Sequence, residues 1–551
     1  MKKRTFIATI AVALVAGVSI FVACTKEDNR NGYTKLDTDP ISEEGCFYLG
    51  NQLENAYSVT NMQKAYDTLL ANGMNDYVNV HCTHYYVKFY PETKAEYDLL
   101  MADTSLDLFD FPLDYELIGE GTLCSKNEDF NVLYTVVPVD FAFPNIRYTI
   151  LENCFIPGED ATEAEEKVEM QSLILTNNLE PDDTINTPPA PDSPDKRWFS
   201  WILPSKKYPS GTFKVLNTEN NQYDPIQNVK VVTFKLVKIA HTYTNANGYY
   251  HIPKGYRWPC HYFMFFRNQN SFDVWGNLGP LAPAFYHMGR QSKYGHSRNL
   301  GQYSVAFPWA TVNNAACTYI KEIVPAENIQ RPPYNLRFWV LPEVANWSGN
   351  AMMGHHMNVT LTTLSSFCQT TIGRTLTGSL QFILPDICVF KNDASDNNLT
   401  KKYYGTTFHE MGHANHFGVA GEPYWAAYIT ATISNNGYGT DSVGTLGMNG
   451  YIGVGEMWGY FFENWNMNNY LSNLANYSYQ RIYINTTYWF NPRILDSLCR
   501  RDGLDITPKK ILGSMTNDVH TVGALKERLK RDYGYGGKDL IIDSIFHHYG
   551  F

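Results

Sequence analysis

Residues 406–413 read Thr-Thr-Phe-His-Glu-Met-Gly-His, and the spacing of His409 and His413 constrains this chain more than any other feature. On an α-helix, residues four apart stand one turn above each other, so both imidazoles can reach a single metal ion. Glu410, beside the first histidine, then points at the open coordination position, where a general base acting on water is needed. The surroundings fit a helix: small residues Gly412 and Ala414 lie at its back, and Gly418 is placed to end it. The plain alternative, a helix with two unrelated histidines, leaves Glu410 without a task.

A hydrolytic zinc site takes three protein ligands and keeps one position open. His416 shares the helix face with His409, but on a straight helix it lies roughly 7–8 Å along the axis from the midpoint of the other two. An ordinary polar position is the first reading of His416, and a supporting or substrate contact the alternative. Asp441, in Gly439-Thr440-Asp441, is a weaker choice. Glu456 is the best choice, because it sits in the apolar run Gly453-Val454-Gly455-Glu456-Met457-Trp458-Gly459-Tyr460-Phe461-Phe462, where a carboxylate is costly unless paired or metal-bound. A carboxylate at a helix N-terminus, favoured by the macrodipole, is the other explanation of Glu456. Glu463, two turns further on, stays open as an alternative ligand.

With these residues in place, the chain resembles the gluzincins, the thermolysin-like zinc peptidases. His409 and His413 match the two histidine ligands, Glu410 the catalytic glutamate and Glu456 the glutamate ligand. The metzincin pattern fails, since its glycine and third-histidine positions hold His416 and Val419. One departure from the gluzincins is the gap of 42 residues between His413 and Glu456, which is longer than usual. The Gly- and Asn-rich segment 434–455 is expected to loop out and absorb it. The resemblance implies a Zn2+ cofactor and peptide-bond hydrolysis with Glu410 as general base. Tyr438, Tyr460 or His416 would be the extra donor to the oxyanion.

The N-terminus suggests an address. Met1-Lys2-Lys3-Arg4 is basic, residues 5–23 carry no charge, and Phe21-Val22-Ala23 leads into Cys24. This resembles a bacterial lipoprotein signal peptide, in which Cys24 becomes the lipidated first residue; a single membrane anchor is the alternative. Lys26-Glu27-Asp28 is similar to the signal that moves some Gram-negative lipoproteins to the cell surface. The other reading of these charges is a solvated linker. Without its three N-terminal cations the net charge falls from -11 to -14, which argues against nucleic acid as a partner. Besides Cys24 there are nine cysteines with no CxxC pair. A cysteine metal cluster is therefore not expected, at least one thiol is free, and any disulfide pairing stays open. The 39 tyrosines would suit a glycan- or peptide-facing surface, but serve equally as core and strand filler.

Along the chain the pattern predicts a multidomain α+β protein. Residues 25–45 are a polar spacer within a mixed α/β N-terminal domain spanning 24–179, with helices over 58–70, 95–101 and 163–175 and an extended stretch over 83–90. Residues 180–197, with five prolines among acidic residues, form a linker. Residues 198–266 read as all-β, with strands over 211–216 and 225–232 and a turn at Asn247-Gly248. This stretch resembles the regulatory-like β-sandwich domains appended to carboxypeptidases. Residues 267–551 form the zincin-like α+β catalytic domain, with strands over 337–341 and 383–390 ahead of the HExxH helix. Thr507-Pro508 opens a helix over 508–514, and another runs over 522–533.

The whole layout looks like the zinc-metallopeptidase lipoproteins associated with nutrient-import systems. It implies an outer-membrane lipoprotein, facing the surface or the periplasm, anchored through Cys24. Its substrate would be a protein or glycoprotein, and an import complex in the outer membrane its neighbour. The competing function is a non-catalytic surface-binding lipoprotein of such a system. A zinc hydrolase acting on a non-peptide amide or ester is a third reading.

Overall fold

The computed structural model describes residues 45–124, 132–179, 203–270, 272–276, 281–341, 349–372, 383–390, 398–471 and 489–551. The expected signal peptide, Cys24, the spacer up to residue 44 and the linker over 180–197 lie outside the described residues.

The first part of the chain builds β1 (Gly45–Gln52), α1 (Val59–Ala71), β2 (His84–Phe89), α2 (Lys94–Ala102), β3 (Tyr115–Gly119), β4 (Gly121–Leu123), β5 (Leu133–Pro138), β6 (Tyr148–Cys154) and α3 (Glu163–Leu175). A strand-rich part follows: β7 (Ser210–Asn217), β8 (Gln222–Pro225), β9 (Val229–Lys235), β10 (Lys238–Tyr243), β11 (Tyr249–His251), β12 (Cys260–Asn268), β13 (Phe272–Trp275), β14 (Phe285–Gln291) and β15 (Arg298–Leu300). The last part holds α4 (Phe307–Thr318), β16 (Leu336–Leu341), β17 (Gly349–Ala351), α5 (Leu361–Ile372), β18 (Ile387–Phe390), α6 (Leu399–Ala420), α7 (Glu422–Ser434) and α8 (Asn449–Asn466). It closes with α9 (Arg493–Arg500), α10 (Pro508–Ser514), α11 (Val522–Tyr533) and α12 (Lys538–His548). The protein is a mixed α/β structure with several sheets and many helices. Among the described residues no helix is long and apolar enough to cross a membrane.

An eleven-stranded sheet runs in the order β17-β18-β16-β13-β12-β14-β4-β1-β3, with β9 and β10 joined to it through β12. Strands β11, β7, β15 and β8 form a second sheet, and β5, β2 and β6 a third. The expected division after residue 266 falls inside β12, whose register pairs it with β9, β13 and β14 alike. The strands read as one all-β stretch therefore divide between two sheets, and β9, β10 and β12 continue into the sheet that carries the HExxH helix. The described residues, from Gly45 onward, cluster as one compact unit. Alternation decides which strand can bridge: β9 is buried along its whole length, as a strand covered on both faces must be. Cys46 and Cys124, brought together by β1 and β4, form a disulfide, while the other seven described cysteines are thiols.

Local chemistry explains the helix ends. Thr162 and Glu165 make a capping box on α3, and the Thr507 and Thr521 hydroxyls accept the third-residue N–H of α10 and α11. Two boundaries differ from expectation. Helix α6 passes through Gly418 and ends at Ala420, because Gly421 (φ 81°) supplies the positive φ that stops it and Pro423 opens α7 at once. The strand expected from residue 383 begins only at Ile387, after Pro385.

Candidate metal centre

Helix α6 brings His409 and His413 together as their spacing requires: the two Nε2 atoms are 3.0 Å apart and both rings are buried. Helix α8 packs across them. Its closest approach is made by Gly459, where a Cβ would lie 2.9 Å from both His409 Cε1 and His413 Cε1. Only a residue without a side chain lets the helix backbone sit on the imidazole edges. The Trp458 indole N–H donates to the Gly412 carbonyl at 2.9 Å, fixing the two helices in register.

One turn before Gly459, α8 delivers Glu456. Its Oε2 lies 3.4 Å from His409 Nε2 and its Oε1 3.4 Å from His413 Nε2. Ligand atoms of His409, His413 and Glu456 all fall within 4.8 Å of one another, as a shared metal ion requires. Glu456 is the eighth residue of α8 and fully buried, which removes the helix-N-terminus explanation. The gap of 42 residues is filled by α7 and by turns over 435–448, and α8 has already begun at Asn449. Two neighbours orient the cluster. Tyr428, on α7, donates its hydroxyl to Glu456 Oε1 at 2.5 Å, and Glu463 Oε2 lies 3.4 Å from His409 Nδ1. Glu463 thus faces the nitrogen of His409 that points away from the cluster.

The charges call for a cation. Burial works against a charged Glu456, but the imidazoles of His413 and His409 outweigh it and hold the carboxyl far below the usual range. Burial likewise opposes a charged His409, yet Glu456 and Glu463 raise it to about 10. His413 is lowered, by burial first. Two carboxylates crowd these buried rings, and a proton or a metal ion is needed to balance them. Glu410 is also buried, and its Oε2 has no hydrogen-bond partner among the described residues. Burial pushes this carboxyl up to about 8, with Glu456 and Glu463 adding to the shift and His409 opposing it. Strand β17, outermost among the described residues of its sheet, passes directly over it: a Cβ on Gly349 would lie 2.5 Å from Glu410 Oε1.

Other residues singled out in the sequence fall elsewhere. His416 is fully buried, its ring stacked edge-on against Tyr424 at 4.6 Å, outside the ligand cluster. Asp441 is exposed, and its Oδ1 accepts the N–H groups of Val443 and Gly444 in a turn. Tyr460 packs its ring 4.6 Å from that of His409. Burial and then Glu456 raise the Tyr438 hydroxyl well above its ordinary value. Sequence reasoning missed Tyr428, Gly459 and Gly349. The only available signal was the Gly-x-x-x-Gly spacing of Gly455 and Gly459 around Glu456, a mark of close helix approach. Comparison with protein-family models, with curated proteins and with solved structures finds no match.

Proposed function

We propose that this chain is a zinc-dependent metallopeptidase of the cell envelope that hydrolyses peptide bonds in proteins or glycoproteins. The observation that carries the reading is the Glu456 carboxylate set between the Nε2 atoms of His409 and His413. It joins two helix-borne imidazoles and a carboxylate from a second helix, the donor set of a three-ligand catalytic zinc site. A zinc ion held there supplies Lewis acidity, lowering the pKa of water and polarising a carbonyl. Glu410, next to His409 but outside the ligand set, takes the proton from water and returns it to the departing amine. Tyr428 and Glu463 hold Glu456 and His409 in their ligating orientations.

A peptide substrate is favoured by β17. An extended chain laid as a further strand along β17 would run close to Glu410, because Gly349 lets that carboxylate stand directly against the strand. The N-terminal segment supports export and lipid attachment at Cys24, hence an outer-membrane lipoprotein. Of the stretch expected to be an accessory β-sandwich, β7, β8 and β11 form a separate sheet with β15, and no catalytic part is assigned to them. The acidic net charge disfavours nucleic acid.

The test is Glu410→Gln. The variant should keep its metal, seen as anomalous scattering at the zinc edge between His409, His413 and Glu456. Its chelator-sensitive cleavage of a denatured protein or mucin should fall by about 10²–10⁴-fold. Undiminished cleavage by the variant, or scattering at any other place, overturns the reading.

A further inference from the structure

A cavity of about 470 Å³ lies away from the histidine cluster, between the end of α2 and the sheet at β12, β13 and the start of β16. Four charged side chains line it in balanced sign: Asp98, Arg267, Asp273 and Arg337. Arg337 is already matched by an ion pair with Asp98. The other two are placed differently. Arg267 and Asp273 are direct partners in the antiparallel register of β12 and β13, so their side chains leave the same face of the sheet. Yet the Arg267 guanidinium turns to donate to the Met101 carbonyl instead of closing on Asp273. The Asp273 carboxylate, half-buried on the cavity wall, takes a backbone hydrogen bond from Asn268. Burial raises this carboxyl, with Arg267 and Arg337 opposing. Tyr243, half-buried, and Ala102, exposed, bring apolar surface to the cavity beside these charges.

We propose that this cavity binds a small zwitterion with an apolar side chain, an amino acid or a dipeptide. Its ammonium meets Asp273, its carboxylate meets Arg267, and its side chain lies against Tyr243 and Ala102. A simple anion would enter against two aspartates and a simple cation against two arginines, so each pays desolvation without full pairing. A zwitterion answers both signs at once. The volume suits this size class and is too small for a folded partner. The site is separate from the metal centre, and the inference does not rest on the peptidase reading.

The test is isothermal titration calorimetry on the full mature chain, stripped with a chelator so that the histidine cluster cannot report. L-phenylalanine and L-alanyl-L-phenylalanine are compared with N-acetyl-L-phenylalanine and L-phenylalaninamide. At least one zwitterion should bind, and both blocked analogues should bind more weakly by about tenfold or more, the loss of one charged hydrogen-bonded partner. Asp273→Asn should weaken the zwitterion by a similar factor. Ala102→Trp, a change at the exposed rim that leaves every charge in place, should block binding with thermal unfolding unchanged. The proposal is overturned if neither zwitterion binds at millimolar concentration, if a blocked analogue binds as well, or if binding survives Ala102→Trp.

Discussion

The helix crossing over the two histidines offers a sharp test, because two glycines there differ in what a methyl group would meet. At Gly459 the added Cβ would sit 2.9 Å from His409 Cε1, 2.9 Å from His413 Cε1 and 3.0 Å from His409 Nε2. An ordinary carbon contact needs about 3.5 Å or more, so Gly459→Ala must drive the rings or the helix apart by about half an ångström. Metal–ligand bonds tolerate errors of about 0.2 Å, so the ligands cannot keep their places. Overpacking of this kind costs about 1–3 kcal/mol of stability, and metal affinity should fall by about 10–100-fold. At Gly412, on the facing helix, the Cβ would meet Trp458 Nε1 at 3.6 Å and Gly459 Cα at 3.8 Å, which are normal contacts. Gly412→Ala should therefore leave metal affinity unchanged and gain up to about 1 kcal/mol from helix propensity. Competition for zinc against a chromophoric chelator reads the affinities, and urea unfolding of the metal-free proteins reads the stabilities. Equal zinc affinity in both variants would show that α8 does not pack on the imidazoles as described.

Two further outcomes follow from named contacts. Tyr428→Phe removes the hydroxyl that binds Glu456 Oε1 and should weaken zinc binding by about 10–100-fold with little change in fold; chelator competition and circular dichroism check both parts. Asp110 is buried with an unpartnered Oδ1 among the described residues, and burial raises its carboxyl to about 7. Its folded-state value lies above the unfolded one, so the stability it contributes is present at acid pH and lost as pH rises from about 4 to 7. Asp110→Asn should thus gain roughly 2–3 kcal/mol relative to the parent between pH 5 and pH 8 in urea unfolding. An equal difference at both pH values would refute it.

Much of the local structure was legible because its causes are local. The capped helices over 163–175, 508–514 and 522–533 appear at the expected residues, since Thr162, Thr507 and Thr521 bond to N–H groups three positions on. The extended stretch near 84–89 was readable from its run of aromatic residues and the one at 210–217 from alternation. Gly418 misled because a glycine can occupy a helix interior at modest cost, and the stop lay in the pair Gly421 and Pro423. The division at residue 266 could not be judged from composition, since β12 pairs with strands on both sides of it in sequence.

The candidate metal centre divides along the same line. By itself the sequence determined that His409 and His413 share one helix face with Glu410 beside them, because a spacing of four residues is a property of any α-helix. The third partner could not be determined that way: Glu456 and Glu463 are both acidic residues in one apolar helix, two turns apart. Tertiary packing decided between them. Gly459 lets α8 rest on the imidazoles at a height that sets Glu456 against the inner nitrogens, while Glu463 lies against the outer nitrogen of His409. The Tyr428 contact and the passage of β17 over Glu410 likewise come from elements far apart in the chain, where only the three-dimensional fit of side-chain volumes determines who meets whom.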